Sequence, residues 1–250
     1  MASRSIFIGF DGRETSAFVV ARESIEKQLS KPIPVYGLVL QRLIDRGLYW
    51  RSTEKRINPE TGAEQLWDVI SDAPAATEFS NSRWLVPRLA DTDLAVFLDC
   101  DMLVRCDLNE MFDLAEKPEN RDYPVMCVKH NYQPTETVKM DGVAQTRYAR
   151  KNWSSVVLWR PRHPANAALT LDFINDLPGR DLHAFCWLKD DEIGELPVEW
   201  NWLAGISDPT VIPRVVHHTE GTPAMRGYEN APYADEWWAR LYDFAEGRRT

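Results

Sequence analysis

Short unbroken apolar runs alternate along the chain with stretches in which apolar residues recur every third or fourth position. Ser5-Ile6-Phe7-Ile8-Gly9-Phe10 reads as a buried strand ending at Asp11-Gly12-Arg13-Glu14. From Thr15 or Ser16, either a candidate helix cap, Phe18, Ala21, Ile25 and Leu29 keep helical spacing until Lys31-Pro32 stops it. Residues 33–40 read as a second strand. Strand, helix and strand in that order imply a parallel pair joined by a right-handed crossover. Ligands of such sheets bind beyond the carboxyl ends of the strands, where Asp11, Gly12 and Arg13 stand.

Residues 41–76 are polar and turn-rich, with a short helix expected at about 64–70; the segment reads as a loop insertion or lid. Residues 77–90 resume helical spacing through Phe79, Trp84 and Leu85, with Pro87 bending or ending the helix and Arg83 within it. Strands follow at 94–104, 124–130 and 156–159, short helices at 107–112 and 166–175, and a polar loop at 131–150. The run at 212–216 ends in His217-His218. A last helix over 235–246 turns Trp237, Trp238, Leu241 and Phe244 to one face.

The run Leu94-Ala95-Val96-Phe97-Leu98 ends in Asp99-Cys100-Asp101. Residues two apart at a strand end point to the same side, so the two carboxylates share one small volume while Cys100 faces the core. Like charges held that close repel unless a cation sits between them, and oxygen ligands suit Mg²⁺ or Mn²⁺. The plain alternative is a solvated strand end. A phosphatase-type nucleophile loop fits less well, because Leu103 stands where Thr or Val belongs. Adjacent histidines alternate in direction, so one of His217 and His218 can join that cation.

The net charge of −9 argues against a nucleic-acid binder and against attraction to anionic membranes. No apolar run approaches the roughly 20 residues a membrane-spanning helix needs, and the first residues carry no secretory signal pattern. The four cysteines have no metal or disulfide spacing. A cytoplasmic protein of one domain over residues 1–250 is expected.

The order of parts resembles nucleotide-sugar glycosyltransferases of the GT-A fold, family 8 and a related bacterial family. The likeness rests on Phe7-Ile8-Gly9-Phe10-Asp11 with Arg13-Glu14, Phe79-Ser80-x-x-Arg83-Trp84-x-x-Pro87, and Phe97-Leu98-Asp99-Cys100-Asp101-Met102-Leu103. It continues through Lys151-Asn152-Trp153-Ser154-Ser155-Val156, Asp190-Asp191-Glu192-Ile193-Gly194-x-Leu196-Pro197-x-Glu199-Trp200-Asn201, and His217-x-Thr219-x-Gly221-x-Pro223.

The resemblance implies an α/β, Rossmann-like domain with a mixed, mostly parallel central sheet flanked by helices. It implies transfer of a sugar from a UDP-sugar to a saccharide or other hydroxyl acceptor, with retention. Asp99, Asp101 and His217 (His218 if the register slips) look like the ligands of Mn²⁺ or Mg²⁺. Asp11, Gly12 and Arg13 look like the nucleoside edge, and Arg83 like the arginine facing donor sugar and phosphates. Asn152, Ser154 and Ser155 resemble donor-sugar contacts; Cys100 and Gly221 lie in donor-binding motifs. Asp190 and Asp191 match the acidic stretch beneath the anomeric carbon. The Lys-Pro-Trp that usually follows the late histidine is absent, and Ala224-Met225-Arg226 stands in its place. That departure keeps a binding module without turnover as an alternative, beside a nucleotidyltransferase. Residues 41–76 and 131–150 are the expected acceptor surfaces.

Overall fold

The computed structural model describes the chain apart from residues 1, 60–61, 132–149, 151 and 248–250. The expected loop at 131–150 therefore lies almost wholly outside the described residues.

Strand β1 (Arg4–Gly9) is buried at five of its six positions, as a strand covered on both faces must be. It runs into a 3₁₀ turn, Gly12–Glu14, capped by the Asp11 side chain, and then into α1 (Thr15–Gln28). Thr15 opens the helix and neither Thr15 nor Ser16 caps it. Ala17, Val20, Ala21, Ser24 and Ile25 form its buried face. β2 (Val35–Leu38) pairs parallel with β1, completing the expected crossover.

The segment after α2 (Leu40–Asp45) is more ordered than its composition suggests. β3 (Thr53–Ile57), β4 (Glu64–Asp68) and β5 (Ala73–Ala75) form a separate antiparallel sheet. The helix expected at 64–70 is thus a strand. There a ladder with Lys55 opposite Leu66 satisfies the backbone, and Arg56 lies 4.3 Å over the Trp67 ring.

The helix expected over 77–90 is broken as well. A 3₁₀ turn, Ser82–Leu85, leads into the short α3 (Val86–Leu89). Pro87 stands in the first turn of α3, where its missing N–H costs nothing, so it starts a helix and does not end one.

β6 (Leu94–Leu98) and β7 (Met102–Val104) follow, then α4 (Asn109–Ala115), β8 (Val125–Cys127) and β9 (Val156–Trp159). The region expected as one helix at 166–175 is a 3₁₀ turn, Pro164–Ala168, followed by α5 (Leu171–Asp176). The chain ends through α6 (Gly179–His183), β10 (Ile193–Glu195), β11 (Trp202–Leu203), β12 (Val215–His217) and α7 (Ala234–Gly247).

The central sheet has the order β10-β8-β9-β6-β1-β2. It is parallel except where β9 runs against β6 and β8. A smaller sheet, β11-β12-β7, lies beside it, and α7 packs Trp237, Trp238 and Leu241 against Val20, Leu103, Trp202 and Val216. This is the mixed, mostly parallel α/β domain expected. In that smaller sheet β12 runs antiparallel to β7 with His217 opposite Met102, which carries the late histidine to the acidic doublet.

Candidate metal and donor cleft

Asp99 follows the last residue of β6, and Asp101 precedes the first of β7. Backbone bonds hold both: the Asp99 N–H donates to the Ser155 carbonyl at 3.0 Å, and the His218 N–H to the Asp101 carbonyl at 3.0 Å. One ligand atom each from Asp99, Asp101 and His217 falls within 4.8 Å of the others. His217 Nε2 lies 3.4 Å from Asp101 Oδ2, and its Nδ1 lies 3.0 Å from Asn201 Oδ1. Two carboxylates and an imidazole converging in this way make a donor set that fits a divalent cation.

The cluster lines a cleft of about 320 Å³. Arg83, buried beneath it, places Nη1 2.7 Å from Asp99 Oδ1 and donates from Nη1 to the Ser154 carbonyl and from Nε to the Ser80 carbonyl. Its guanidinium lies over Phe97 and Phe79, with its carbon 4.9 and 5.3 Å from the ring centres. Arg83 is therefore an interior group that also lines the cleft.

Asn152, Ser154 and Ser155 line the cleft too. Asn152 takes a left-handed φ of 64°, a conformation asparagine tolerates. The Ser154 hydroxyl lies 2.7 Å from His183 Nδ1, and the Ser155 hydroxyl donates to the Asn152 carbonyl at 2.7 Å. Cys100 turns into the core, its Sγ donating to Glu14 at 3.4 Å. Burial, with the acidic charges of Glu14, Asp101 and Asp99, pushes its thiol well above the ordinary range, so it stays protonated.

Other expected site residues stand elsewhere. Asp11 is fully buried and is absent from the cleft wall. Its oxygens accept from the Arg13 backbone and guanidinium and from the Glu78 N–H at 3.0 Å. Burial alone would raise its carboxyl; those donors together hold it below the usual range. It shapes the turn on which Gly12 and Arg13 are exposed.

His218 turns away from the cluster and bonds through Nε2 to the Pro232 carbonyl at 3.0 Å, so His217 is the histidine the structure brings to Asp101. Gly221 packs against the Tyr228 ring, where a Cβ would come within 2.5 Å. Asp190 and Asp191 are exposed on the 3₁₀ turn Asp190–Glu192, off the cleft wall, and Asp190 pairs with Arg150. The structure does not bring these two to the candidate metal cluster; Glu192 folds back to accept the Lys189 N–H at 2.8 Å and caps their turn.

Several cleft residues are not singled out individually by the sequence, although 68–76 fall within the expected acceptor segment 41–76. Asp68, Ser71 and the stretch 72–76 come from the small sheet that composition marks as a loop, and Gly179, Arg180 and His183 from α6. Asp68 is buried in an ion pair with Arg51, whose Nη1 also donates to the carbonyls of Ile174 and Leu177. Asn201 ends the motif that begins at Asp190, but only the pairing of β11 with β12 sets it against His217.

No family model matches the chain. Among solved structures it is similar to the galactosyltransferase LgtC in complex with donor and acceptor sugar analogues. There the TM-score is 0.59 at 16% identity, covering 96% of this chain and 95% of that one. It is also similar to the glycosyltransferase GlyE of Streptococcus pneumoniae TIGR4 (TM-score 0.59, 10% identity, 96% of this chain and 60% of that one). For the bifunctional glycosyltransferase WbbM the TM-score is 0.54 at 15% identity, over 96% of this chain and 52% of that one, so this chain spans about half of WbbM. These likenesses show a GT-A-like fold shared by several glycosyltransferases and do not single out family 8. At the level of sequence, the chain is 40% identical over 245 residues to protein CDI of Arabidopsis thaliana, covering 96% of this chain and 86% of that protein. With that identity extending over nearly the whole chain, it belongs to the family of Arabidopsis thaliana protein CDI.

Proposed function

We propose that the protein is a metal-dependent glycosyltransferase that moves a sugar from a nucleotide-sugar donor, UDP-linked by resemblance, to a hydroxyl acceptor. The observation that carries this reading is the convergence of Asp99, Asp101 and His217 on the wall of one cleft. The mixed oxygen and nitrogen donor set suits Mn²⁺ better than Mg²⁺, which favours oxygen ligands. When bound, such an ion neutralises charge gathering on the departing nucleoside diphosphate.

In this reading Arg83 holds Asp99 in place at the cleft wall. The exposed turn at Gly12–Glu14, held in shape by Asp11, is the nucleoside edge. Asn152, Ser154 and Ser155 form the wall for the donor sugar, and the stretch 68–76 forms that for the acceptor. Retention of configuration rests on the family resemblance alone.

A second reading, a sugar-nucleotide binding module without turnover, is favoured by the exposure of Asp190 and Asp191. Among the described residues no lysine lines the cleft, which points the same way. Titration calorimetry of UDP with Mn²⁺ and with EDTA tests the metal site: tight binding only with Mn²⁺, lost in Asp101→Asn, supports it, and equal binding in EDTA overturns it. Hydrolysis across a panel of UDP-sugars separates the readings. Tight binding with no turnover on any donor establishes the binding module.

A further inference from the structure

Asn201 has no exposed surface, and its side chain joins the metal cluster to the cleft wall. It ends the 3₁₀ turn Val198–Asn201, next to β11, whose Leu203 pairs with His217. Its Nδ2 donates to the Asn152 carbonyl at 3.2 Å and to the Ser155 hydroxyl oxygen at 2.9 Å. The Ser155 hydroxyl spends its own hydrogen on the Asn152 carbonyl, so toward Asn201 it can only accept. Two acceptors on one side settle which end of the amide faces them. The carbonyl Oδ1 must then be the end that meets His217 Nδ1 at 3.0 Å.

A carbonyl oxygen accepts, so Nδ1 carries the hydrogen. In the neutral ring Nε2 is then a lone pair, and it points at Asp101 Oδ2, another acceptor, 3.4 Å away. An ordinary His–Asp hydrogen bond from neutral Nε2–H would require Nδ1 to be bare against the Asn201 carbonyl, setting two acceptors face to face. A cation between Nε2 and Asp101 removes the conflict at the other end of the ring.

We propose that Asn201 is a positioning residue: it holds His217 in the Nδ1–H tautomer, the neutral form whose Nε2 can ligate a divalent cation, and through the same amide ties that ligand to the 152–155 turn. The cation itself rests on the function proposed above; the tautomer is a property of the protein without metal. Metal ligation and the shape of the donor-sugar wall are thereby linked through one side chain.

The test begins on the unaltered protein, without metal, at about pH 8. Long-range ¹⁵N–¹H NMR of the His217 ring is expected to show protonated Nδ1 and bare Nε2, against the preference of free histidine for the opposite tautomer. A hydrogen on Nε2, alone or with one on Nδ1, overturns the proposal.

Asn201→Asp keeps the acceptor facing Nδ1 but loses the amide donor. It should retain the tautomer and Mn²⁺ affinity by calorimetry while amide exchange at Ser155 quickens. Asn201→Leu loses both and should weaken Mn²⁺ binding by about 10- to 100-fold, as loss of a histidine's outer partner commonly does. Unchanged Mn²⁺ binding in Asn201→Leu overturns the proposal. The expected tautomer with no Mn²⁺ uptake by the unaltered protein upholds the role of Asn201 and overturns the metal-dependent function instead.

Discussion

Arg83 Nη1 lies 2.7 Å from Asp99 Oδ1, inside a frame of two backbone carbonyls and two phenylalanine rings. Both side chains are largely buried, so each supplies the charge that the other needs out of water. Arg83→Gln should cost about 3–5 kcal/mol in urea unfolding, the usual penalty for stranding one member of a buried pair. Added Mn²⁺ should restore part of that loss by standing beside the orphaned carboxylate. A variant as stable as the parent would place Arg83 outside the site's electrostatics.

Metal binding should register as stability before any substrate is known. A ligand at 100 times its dissociation constant adds about 2.7 kcal/mol to a folded state it alone recognises. Mn²⁺ should therefore raise the melting temperature of the unaltered protein and leave Asp101→Asn and His217→Ala unmoved. Equal shifts in all three would locate the ion somewhere else.

The ion pair of Asp68 with Arg51 anchors the small sheet to the end of α5, and Ser71 bonds both Asp68 and the Gly179 N–H. Asp68→Asn should destabilise by about 3 kcal/mol, because the Arg51 charge stays buried without its partner. Arg56→Ala on the same sheet loses exposed pairs with Glu54 and Asp72 and the contact over the Trp67 ring, and should cost no more than about 1 kcal/mol. Parallel chemical denaturation of the two variants checks the contrast, and equal losses would refute it.

His130 offers a pH signature. Burial, with the field of His217, pushes its imidazole down from 6.5 to about 4, against the opposing effect of a bond to the Asn201 backbone. The unfolded chain takes up this proton below 6.5 while the folded chain resists it until about 4. Stability on this account is complete above 6.5, falls as pH drops through that window, and then levels off. The full effect is roughly 3 kcal/mol. His130→Gln should flatten that limb when unfolding is followed from about pH 7 to about pH 4; an unchanged slope would assign it to other groups.

Local sequence carried the strand–helix–strand opening, because Ile6, Phe7 and Ile8 form an unbroken apolar run in β1 and α1 keeps a buried stripe at helical spacing. It also carried the acidic doublet, since residues two apart at a strand end share a side whatever the rest of the chain does. The small sheet was illegible. β3 is exposed at every position and has no apolar rhythm, and its partner β4 is identified only by cross-strand bonds.

The amino-acid sequence by itself determined the α/β class, the opening strand–helix–strand unit, and three side chains of a kind that can hold a divalent cation. Only the tertiary structure decided that they meet, and which neighbours condition them. Asp101 and His217 lie more than a hundred residues apart and come together through the antiparallel pairing of β7 with β12. The same packing sets Asn201 behind His217 and Arg83 beside Asp99, and leaves Asp190 and Asp191 in solvent. The reason is range: periodicity and turn chemistry act over a few residues, whereas burial and the closing of hydrogen-bond networks are settled only when distant segments have been brought into contact.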